Sequence, residues 1–286
     1  MKIFLTGANG QLAHALQDVV ARRSADSVRA YPHHQLDIVD AAAVDRAMAE
    51  ANPDVVINAA AYNLVDQAET DPAAAFAVNE TGPRNLAVAA AARNIPIVHV
   101  STDYVFDGTL DRPYRESDPT NPLNQYAKSK LAGEKAVLAA NPRSYVARTA
   151  WVFYKGGRNF LLGLLVNKGK PTVSVANDQF GSPTYALHLA EKILTLLDTK
   201  AAYGVYHLAG RGGTSRYELA KRFFEEAGLK TTVLPASVTD FPSPARRPRA
   251  TPLDTERGDA FRLPPWEQGV SEFAKEIKDG MRDTKN

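Results

Sequence analysis

The sequence contains no cysteine, which excludes disulfide bonds and thiolate metal sites and predicts a reducing, cytoplasmic location. The sequence also lacks a strong excess of positive or negative charge. The 34 basic and 32 acidic side chains leave a net charge of +2, too small to bind nucleic acid or an anionic membrane by charge alone. The longest apolar runs, such as 86–92, have seven residues, far fewer than the roughly 20 that span a bilayer. Thr6 and Gly7 interrupt the N-terminal run too early for a secretory signal.

The rest of the composition is that of an ordinary globular protein. Apolar residues make up 44% and charged residues 23% of the 286 positions, which excludes global disorder. At roughly 150 residues per domain, this length fits one large domain or two modest ones.

Short apolar runs alternate with helical stretches through residues 1–153. Strands are predicted at 2–6, 27–31, 54–58, 95–100 and 144–153, and helices at 12–20, 40–48, 76–92 and 124–140. The strand at 54–58 is almost wholly apolar, as expected where helices cover both faces of a parallel sheet. The alternation therefore predicts an α/β fold with a Rossmann-like, doubly wound parallel sheet and right-handed crossovers.

The pattern changes after Phe153, where glycine and proline become denser. Isolated strands are predicted at 172–175 and 205–208, and one helix is predicted at 214–227. We therefore expect a boundary between a first domain, 1–153, and a smaller C-terminal α/β lobe, 154–286. The helix predicted at 185–198 is expected to return to the first domain.

Two glycines mark a candidate dinucleotide turn. Gly7 and Gly10 follow the first predicted strand and open the first helix, and Ala13 occupies the third small position. In this context a glycine turn brings backbone amides against the pyrophosphate of a dinucleotide. Asp37 and Ile38 are candidates to flank the adenine, but the end of the second strand carries no clear acid or base to distinguish NAD from NADP.

A tyrosine and a lysine form a candidate proton-transfer pair. Tyr126 and Lys130 are four residues apart, which places them on one face of a predicted helix. An unperturbed phenol has a pKa near ~10, and a nearby cation lowers it. The strand at 95–100 delivers Thr102 to the same sheet edge, where its hydroxyl could contact a carbonyl that Tyr126 protonates. Such a pair also arises by chance, and its position at the sheet edge favours the catalytic interpretation.

Longer motifs from both lobes extend these signals. They are STDYVFDG at 101–108, YAKSKLAGE at 126–134, RTAWVF at 148–153, NDQFGSPT at 177–184 and ARRP at 245–248. With the glycine turn, they resemble the extended short-chain dehydrogenase/reductase superfamily and, within it, the dTDP-4-dehydrorhamnose reductase family. The resemblance covers nearly the whole chain.

This resemblance implies an oxidoreductase in which NADPH or NADH reduces the C4 ketone of dTDP-4-dehydrorhamnose to give dTDP-L-rhamnose, and we favour NADPH. Tyr126 would donate the proton, Lys130 would hold the cofactor ribose and lower the phenol pKa, and Thr102 would orient the carbonyl. The first domain would bind the dinucleotide and the second lobe mainly the substrate. The implied cofactor contacts are Gly7, Gly10, Gln11, Leu12, Asp37, Ile38, Ala60, Ala61, Tyr62, Tyr126 and Lys130.

The resemblance also implies substrate contacts. Trp151 would lie against the sugar, Asp103 near its hydroxyls, and Arg246 or Arg247 against the diphosphate; we choose Arg247. Ala15 stands where some relatives carry a glutamate that helps to hold a metal at a dimer contact. We therefore expect no metal, and a monomer or homodimer whose partner is a nucleotide sugar rather than nucleic acid or a membrane.

Two alternatives stay open. The chain could reduce a different nucleotide-linked 4-ketosugar by the same chemistry. It could also be a non-catalytic regulatory subunit that resembles the one bound to methionine adenosyltransferase, although Thr102, Tyr126 and Lys130 favour catalysis. Nucleic-acid binding through 246–249 is less well supported, because three arginines beside prolines fit a diphosphate contact or a solvated loop.

Overall fold

The computed structural model describes residues 1–283, and a parallel sheet of six strands lies at its centre. The strands are β1 (Lys2–Thr6), β2 (Ser27–Tyr31), β3 (Val55–Asn58), β4 (Ile97–Thr102), β5 (Ser144–Thr149), β6 (Val152–Phe153), β7 (Thr172–Ala176), β8 (Phe180–Gly181), β9 (Thr184–Tyr185), β10 (Gly204–His207), β11 (Thr214–Ser215) and β12 (Thr232–Ala236). The central sheet has the order β2, β1, β3, β4, β5, β10. This is the doubly wound parallel sheet that the sequence predicts.

Helices cover both faces of this sheet. They are α1 (Gln11–Val20), α2 (Ala41–Ala51), α3 (Gln67–Thr70), α4 (Pro72–Phe76), α5 (Gly82–Ala92), α6 (Gln125–Ala140), α7 (Phe160–Leu164), α8 (Ala186–Asp198), α9 (Arg216–Glu226) and α10 (Trp266–Asp283). Alternate residues of a strand point to opposite faces. Ile3 and Leu5 of β1 accordingly join the core under α1 and α8, whereas Phe4 joins the core under α2 and α5.

Three sequence predictions for single elements are wrong. The helix expected over 76–92 is interrupted by a π-helical turn, Ala77–Thr81, next to Pro83, which lacks the amide hydrogen for a regular helical bond. The strand expected over 144–153 divides into β5 and β6, because Trp151 adopts a left-handed φ of 46°. The first two residues expected in the helix over 214–227 form β11 instead, which pairs with β8.

The strand expected at 205–208 is not isolated. As β10 it pairs with β5 and forms one edge of the central sheet. Helix α8 likewise packs against α1. A four-residue apolar run carries no information about its partner, so the sequence could not assign β10 to the first sheet.

The remaining C-terminal elements, which we call the C-terminal lobe, lie outside the central sheet. Short pairs join β7 to β12, β8 to β11 and β6 to β9. Helices α9 and α10 pack together, with the rings of Phe223 and Phe273 stacked 5.5 Å apart. Within the described part of the chain, no helix combines the length and apolar character needed to cross a membrane.

Candidate active site

The candidate residues meet where the parallel strands end. Thr6 of β1 is in register with Asn58 of β3, and Thr102 of β4 is in register with Thr149 of β5. Parallel strands present their carboxyl ends at one edge, and ligands of doubly wound sheets bind in the crevice outside that edge. A cleft follows this edge from the loop after β2 to the C-terminal lobe.

The turn after β1 can be built only with glycine at its first position. Gly7 has a φ of +75°, and a Cβ there would lie 2.6 Å from the amide nitrogen of Ala60. The amide of Gly10 donates to the carbonyl of Gly7 over 2.8 Å. Gly10 is also the N-cap of α1 and supplies no capping side chain, so the amides that open this helix face the cleft and suit a phosphate.

The expected adenosine contacts line one end of the cleft. This pocket has a volume of about 440 Å³. It is bordered by Gly7, Gly10, Asp37, Ile38, Ala60, Ala61 and Tyr62, and also by Tyr31, Pro32 and His33. The side chains of Ala60 and Ala61 leave room for a flat ligand. Asp37 accepts a hydrogen bond from the amide of Val39 over 2.9 Å, which orients its carboxylate.

A second pocket, of about 290 Å³, continues from the first and contains the expected proton-transfer groups. It shares Gly10, Ala59, Ala61 and Asn63 with the adenosine end. Thr102, Tyr126 and Lys130 line it, together with Gln11, Leu12, Asp103 and Trp151. The structure therefore brings together side chains from β4, α6 and the loop after β5.

Helix α6 is fixed at the turn that carries Tyr126. The side chain of Asn124 caps the helix by accepting the amide of Ala127 over 2.8 Å, and its own amide donates to the carbonyl of Arg246 over 2.9 Å. One turn later, the buried hydroxyl of Ser129 accepts a hydrogen bond from Asn79 over 2.9 Å. The start of α6 is therefore tied both to the C-terminal lobe and to the helix beside it.

Burial dominates the protonation of the phenol and the ammonium. It raises the pKa of Tyr126, and the nearby hydroxyl of Thr102 offsets only part of this rise. Burial also lowers the pKa of Lys130 to about 8, against the attraction of Glu134. The ammonium donates to the carbonyl of Val100 over 2.7 Å. The sequence predicts that Lys130 lowers the phenol pKa, whereas the net change in this structure is a rise caused by burial.

Asp103 is a buried acid beside this pair. Only 2% of its surface is exposed, and burial raises its pKa to about 6. The hydroxyl of Thr102 donates to its Oδ1 over 3.1 Å, and that of Thr251 donates to its Oδ2. Thr102, which lines the same pocket as Tyr126, is therefore held by Asp103.

The cleft ends in a larger pocket of about 660 Å³ between the lobes. Arg247 lies on its wall, whereas Arg246 contributes its backbone carbonyl to Asn124. The guanidinium of Arg247 donates to both carboxylate oxygens of Asp66, over 3.0 and 2.9 Å. Trp151 borders the Tyr126 pocket, and a Cβ on Gly181 would come within 2.5 Å of its ring.

Two residues of this larger pocket, Asp66 and Arg216, escape sequence reasoning. Gln179 and Arg216 line it, and Tyr104 lies near both of them. Asp66 comes from the segment before α3, far from Arg247 in sequence. Gln179 and Tyr104 lie inside motifs that suggest a site, but Arg216 is a single arginine at the start of a helix and carries no motif.

Comparisons with known proteins agree with this geometry. A family model described as "RmlD substrate binding domain" matches residues 1–279. The chain is 44% identical over 280 residues to the dTDP-4-dehydrorhamnose reductase of Mycobacterium tuberculosis, which covers 96% of this chain and 91% of that protein.

Solved structures give the same result. A dTDP-4-dehydrorhamnose reductase from Clostridium acetobutylicum superposes with a TM-score of 0.92 at 37% identity, covering 97% of this chain and 100% of the other. One from Bacillus anthracis, in complex with NADP, has a TM-score of 0.92 at 35% identity and covers 96% and 99%. These similarities confirm the fold class predicted from the sequence.

Proposed function

Since this chain belongs to the RmlD substrate binding domain family, as its motifs predict, we propose that it is an NAD(P)H-dependent oxidoreductase that reduces dTDP-4-dehydrorhamnose to dTDP-L-rhamnose. One observation carries the proposal. One pocket is lined by Thr102, Tyr126 and Lys130, and on one side it continues into the glycine turn. On the other side it is bordered by Trp151, which also lines a small pocket together with Arg216 of the inter-lobe pocket.

The cofactor fits the first part of this cleft. The Cβ-free surface of Gly7 and the amides at the start of α1 suit a pyrophosphate, and Gln11 and Leu12 follow directly. Asp37, Ile38, Ala60, Ala61 and Tyr62 would hold the adenosine. A bound nicotinamide supplies the hydride. The NADP found with the Bacillus anthracis protein supports NADPH as one cofactor.

Tyr126 is the proposed proton donor. A donor for ketone reduction must carry its proton at neutral pH, and burial, by raising the phenol pKa, keeps it protonated. Thr102 lines the same pocket as Tyr126 and can orient the carbonyl beside it. Lys130 stays charged below about pH 8, so its ammonium can hold the cofactor ribose and favour the phenolate once the proton has left.

The proposed substrate contacts lie on the other side of Tyr126. Trp151 would pack against the sugar ring, and Asp103 would accept hydrogen bonds from its hydroxyls. Arg247 would contact the nucleotide part in the inter-lobe pocket. In this proposal, residues 1–153 hold the cofactor and residues 154–286 mainly hold the substrate, while α8 and β10 return to the first domain.

The direct experiment combines the purified protein with dTDP-4-dehydrorhamnose and either NADPH or NADH, follows cofactor oxidation and identifies the sugar by NMR. We expect dTDP-L-rhamnose. A dTDP-linked 4-ketosugar of different stereochemistry, added in parallel, tests the alternative substrate. Bound cofactor without oxidation of either sugar would refute the proposal. The names of the relatives do not favour the regulatory-subunit alternative.

A further inference from the structure

Arg216 is a buried cation on the wall of the inter-lobe pocket. It is the first residue of α9, where the side chain of Ser215 caps the helix. Its guanidinium carbon lies 3.7 Å from the centre of the Trp151 ring and 4.9 Å from that of Phe160. The side chain is enclosed by protein atoms but keeps part of its surface open to the pocket.

Among the described side chains, those of residues 1–280, no carboxylate lies within ion-pair distance of the guanidinium of Arg216, so its charge has no direct counterion there. The hydroxyl of Tyr104 lies near it. Asp103 attracts it only through space, and burial lowers its pKa. A guanidinium offers five N–H donors, and a buried charge without a partner is unfavourable. Such a group suits an anionic ligand.

Arg247, on the same pocket, differs in this respect. Asp66 already accepts two hydrogen bonds from its guanidinium, so much of its charge and donor capacity is used. Tyr104 also lies near Arg247, and the two arginines repel each other. An anion between them would therefore gain more from Arg216 than from Arg247.

We propose that Arg216, rather than Arg247, is the main contact of the substrate's diphosphate, and in particular of the sugar-linked phosphate. This inference rests on the proposed function, because it takes the ligand to be a dTDP-sugar. The C4 ketone and the phosphate are attached to the same hexose ring, so the phosphate must lie about one sugar away from Tyr126. Arg216 meets this condition, since it stacks on Trp151, the residue that borders the Tyr126 pocket.

The test compares the affinities of dTDP and dTMP, measured by calorimetry in the presence of NADP. dTMP lacks the second phosphate. We expect Arg216→Met to weaken dTDP binding by roughly 10- to 100-fold, the range for losing charge-assisted hydrogen bonds, and to weaken dTMP binding much less. A purely structural effect, such as displacement of Trp151, would weaken both nucleotides equally.

Three further variants complete the design. Arg222→Met removes an arginine from the same helix whose partner is Glu226, and it should change neither affinity. Arg247→Met should reduce the preference for dTDP less than Arg216→Met does. Arg216→Lys keeps the positive charge and should retain part of the preference for dTDP over dTMP. It replaces Arg216→Met if the methionine variant does not fold, as judged by NADPH binding.

Three results would overturn the inference. The Arg216 variants could keep the wild-type preference for dTDP over dTMP, Arg247→Met could lose more of this preference than Arg216→Met, or the wild-type protein could show no preference. The proposed function fails separately, through the absence of ketosugar reduction by a wild-type protein that still binds dTDP.

Discussion

Replacing Asp103 by asparagine should stabilise the protein at neutral pH and not in acid. The carboxyl is 2% exposed and has a pKa of about 6, against 3.8 for an unperturbed aspartate. The hydroxyls of Thr102 and Thr251 donate to its two oxygens but do not compensate for the loss of water. An amide of the same shape removes the charge and can keep contacts with both threonines, since hydroxyls also accept hydrogen bonds.

The sign and size follow from proton linkage. Between pH 3.8 and about 6, the folded protein holds a proton on Asp103 that the unfolded chain has released, so the free energy of unfolding falls as the pH rises through this window. The two pKa values differ by about 2 pH units, which corresponds to about 3 kcal/mol. Above about pH 6 the full cost of burying the Asp103 carboxylate lowers the free energy of unfolding, and below pH 3.8 this cost is absent.

Urea unfolding of wild type and Asp103→Asn at several pH values from 4 to 7.5 measures this effect. We expect the stability difference between variant and wild type to shift in favour of the variant by about 3 kcal/mol across that range. Asp107→Asn is a control of opposite sign, because hydrogen bonds from Asn121 and Thr109 lower the pKa of Asp107 to about 2. A difference that does not change with pH for Asp103→Asn would refute the assignment of a buried, destabilising charge.

Three other substitutions test the cleft. Tyr126→Phe should lower turnover by roughly 10²-fold or more, the scale of lost general acid catalysis, and leave NADPH affinity, measured by fluorescence titration, nearly unchanged. Lys130→Met should move the acidic limb of the pH profile for the oxidative direction upward, because the phenolate loses a nearby cation; an unmoved limb contradicts this. Gly7→Ala should lower the melting temperature and NADPH affinity together, since its Cβ meets the backbone of Ala60, whereas Gly163→Ala, with open space around it, should change neither.

The sheet and the cofactor end of the cleft could be predicted because their causes are local in sequence. The four residues of β3 are all buried, and the first three, Val55, Val56 and Ile57, are apolar, so the segment reads as a covered parallel strand. Gly7 adopts a conformation that other residues avoid, and its place after a strand indicates a phosphate turn. Tyr126 and Lys130 share a helix, so their spacing alone brings them together.

The inter-lobe pocket depends on contacts that spacing does not encode. Asp66 and Arg247 meet across 181 positions of sequence, and the left-handed turn at Trp151 that brings its ring beneath Arg216 cannot be inferred from an ordinary-looking strand. The sequence resemblance pointed to an arginine in the ARRP motif for the diphosphate. Only the three-dimensional structure shows that Asp66 compensates the charge of Arg247. This compensation favours Arg216 as the contact of the diphosphate.

The electrostatics of the cleft also depend on folding, and they qualify the simplest account of the tyrosine and lysine pair. Proximity in sequence predicts that the cation lowers the phenol pKa, yet burial acts on both groups and opposes charge on each. For reduction this is favourable, because Tyr126 has to begin protonated. The ammonium of Lys130 then matters most after proton transfer, when the phenolate is a new negative charge in a site that excludes water and needs a positive partner.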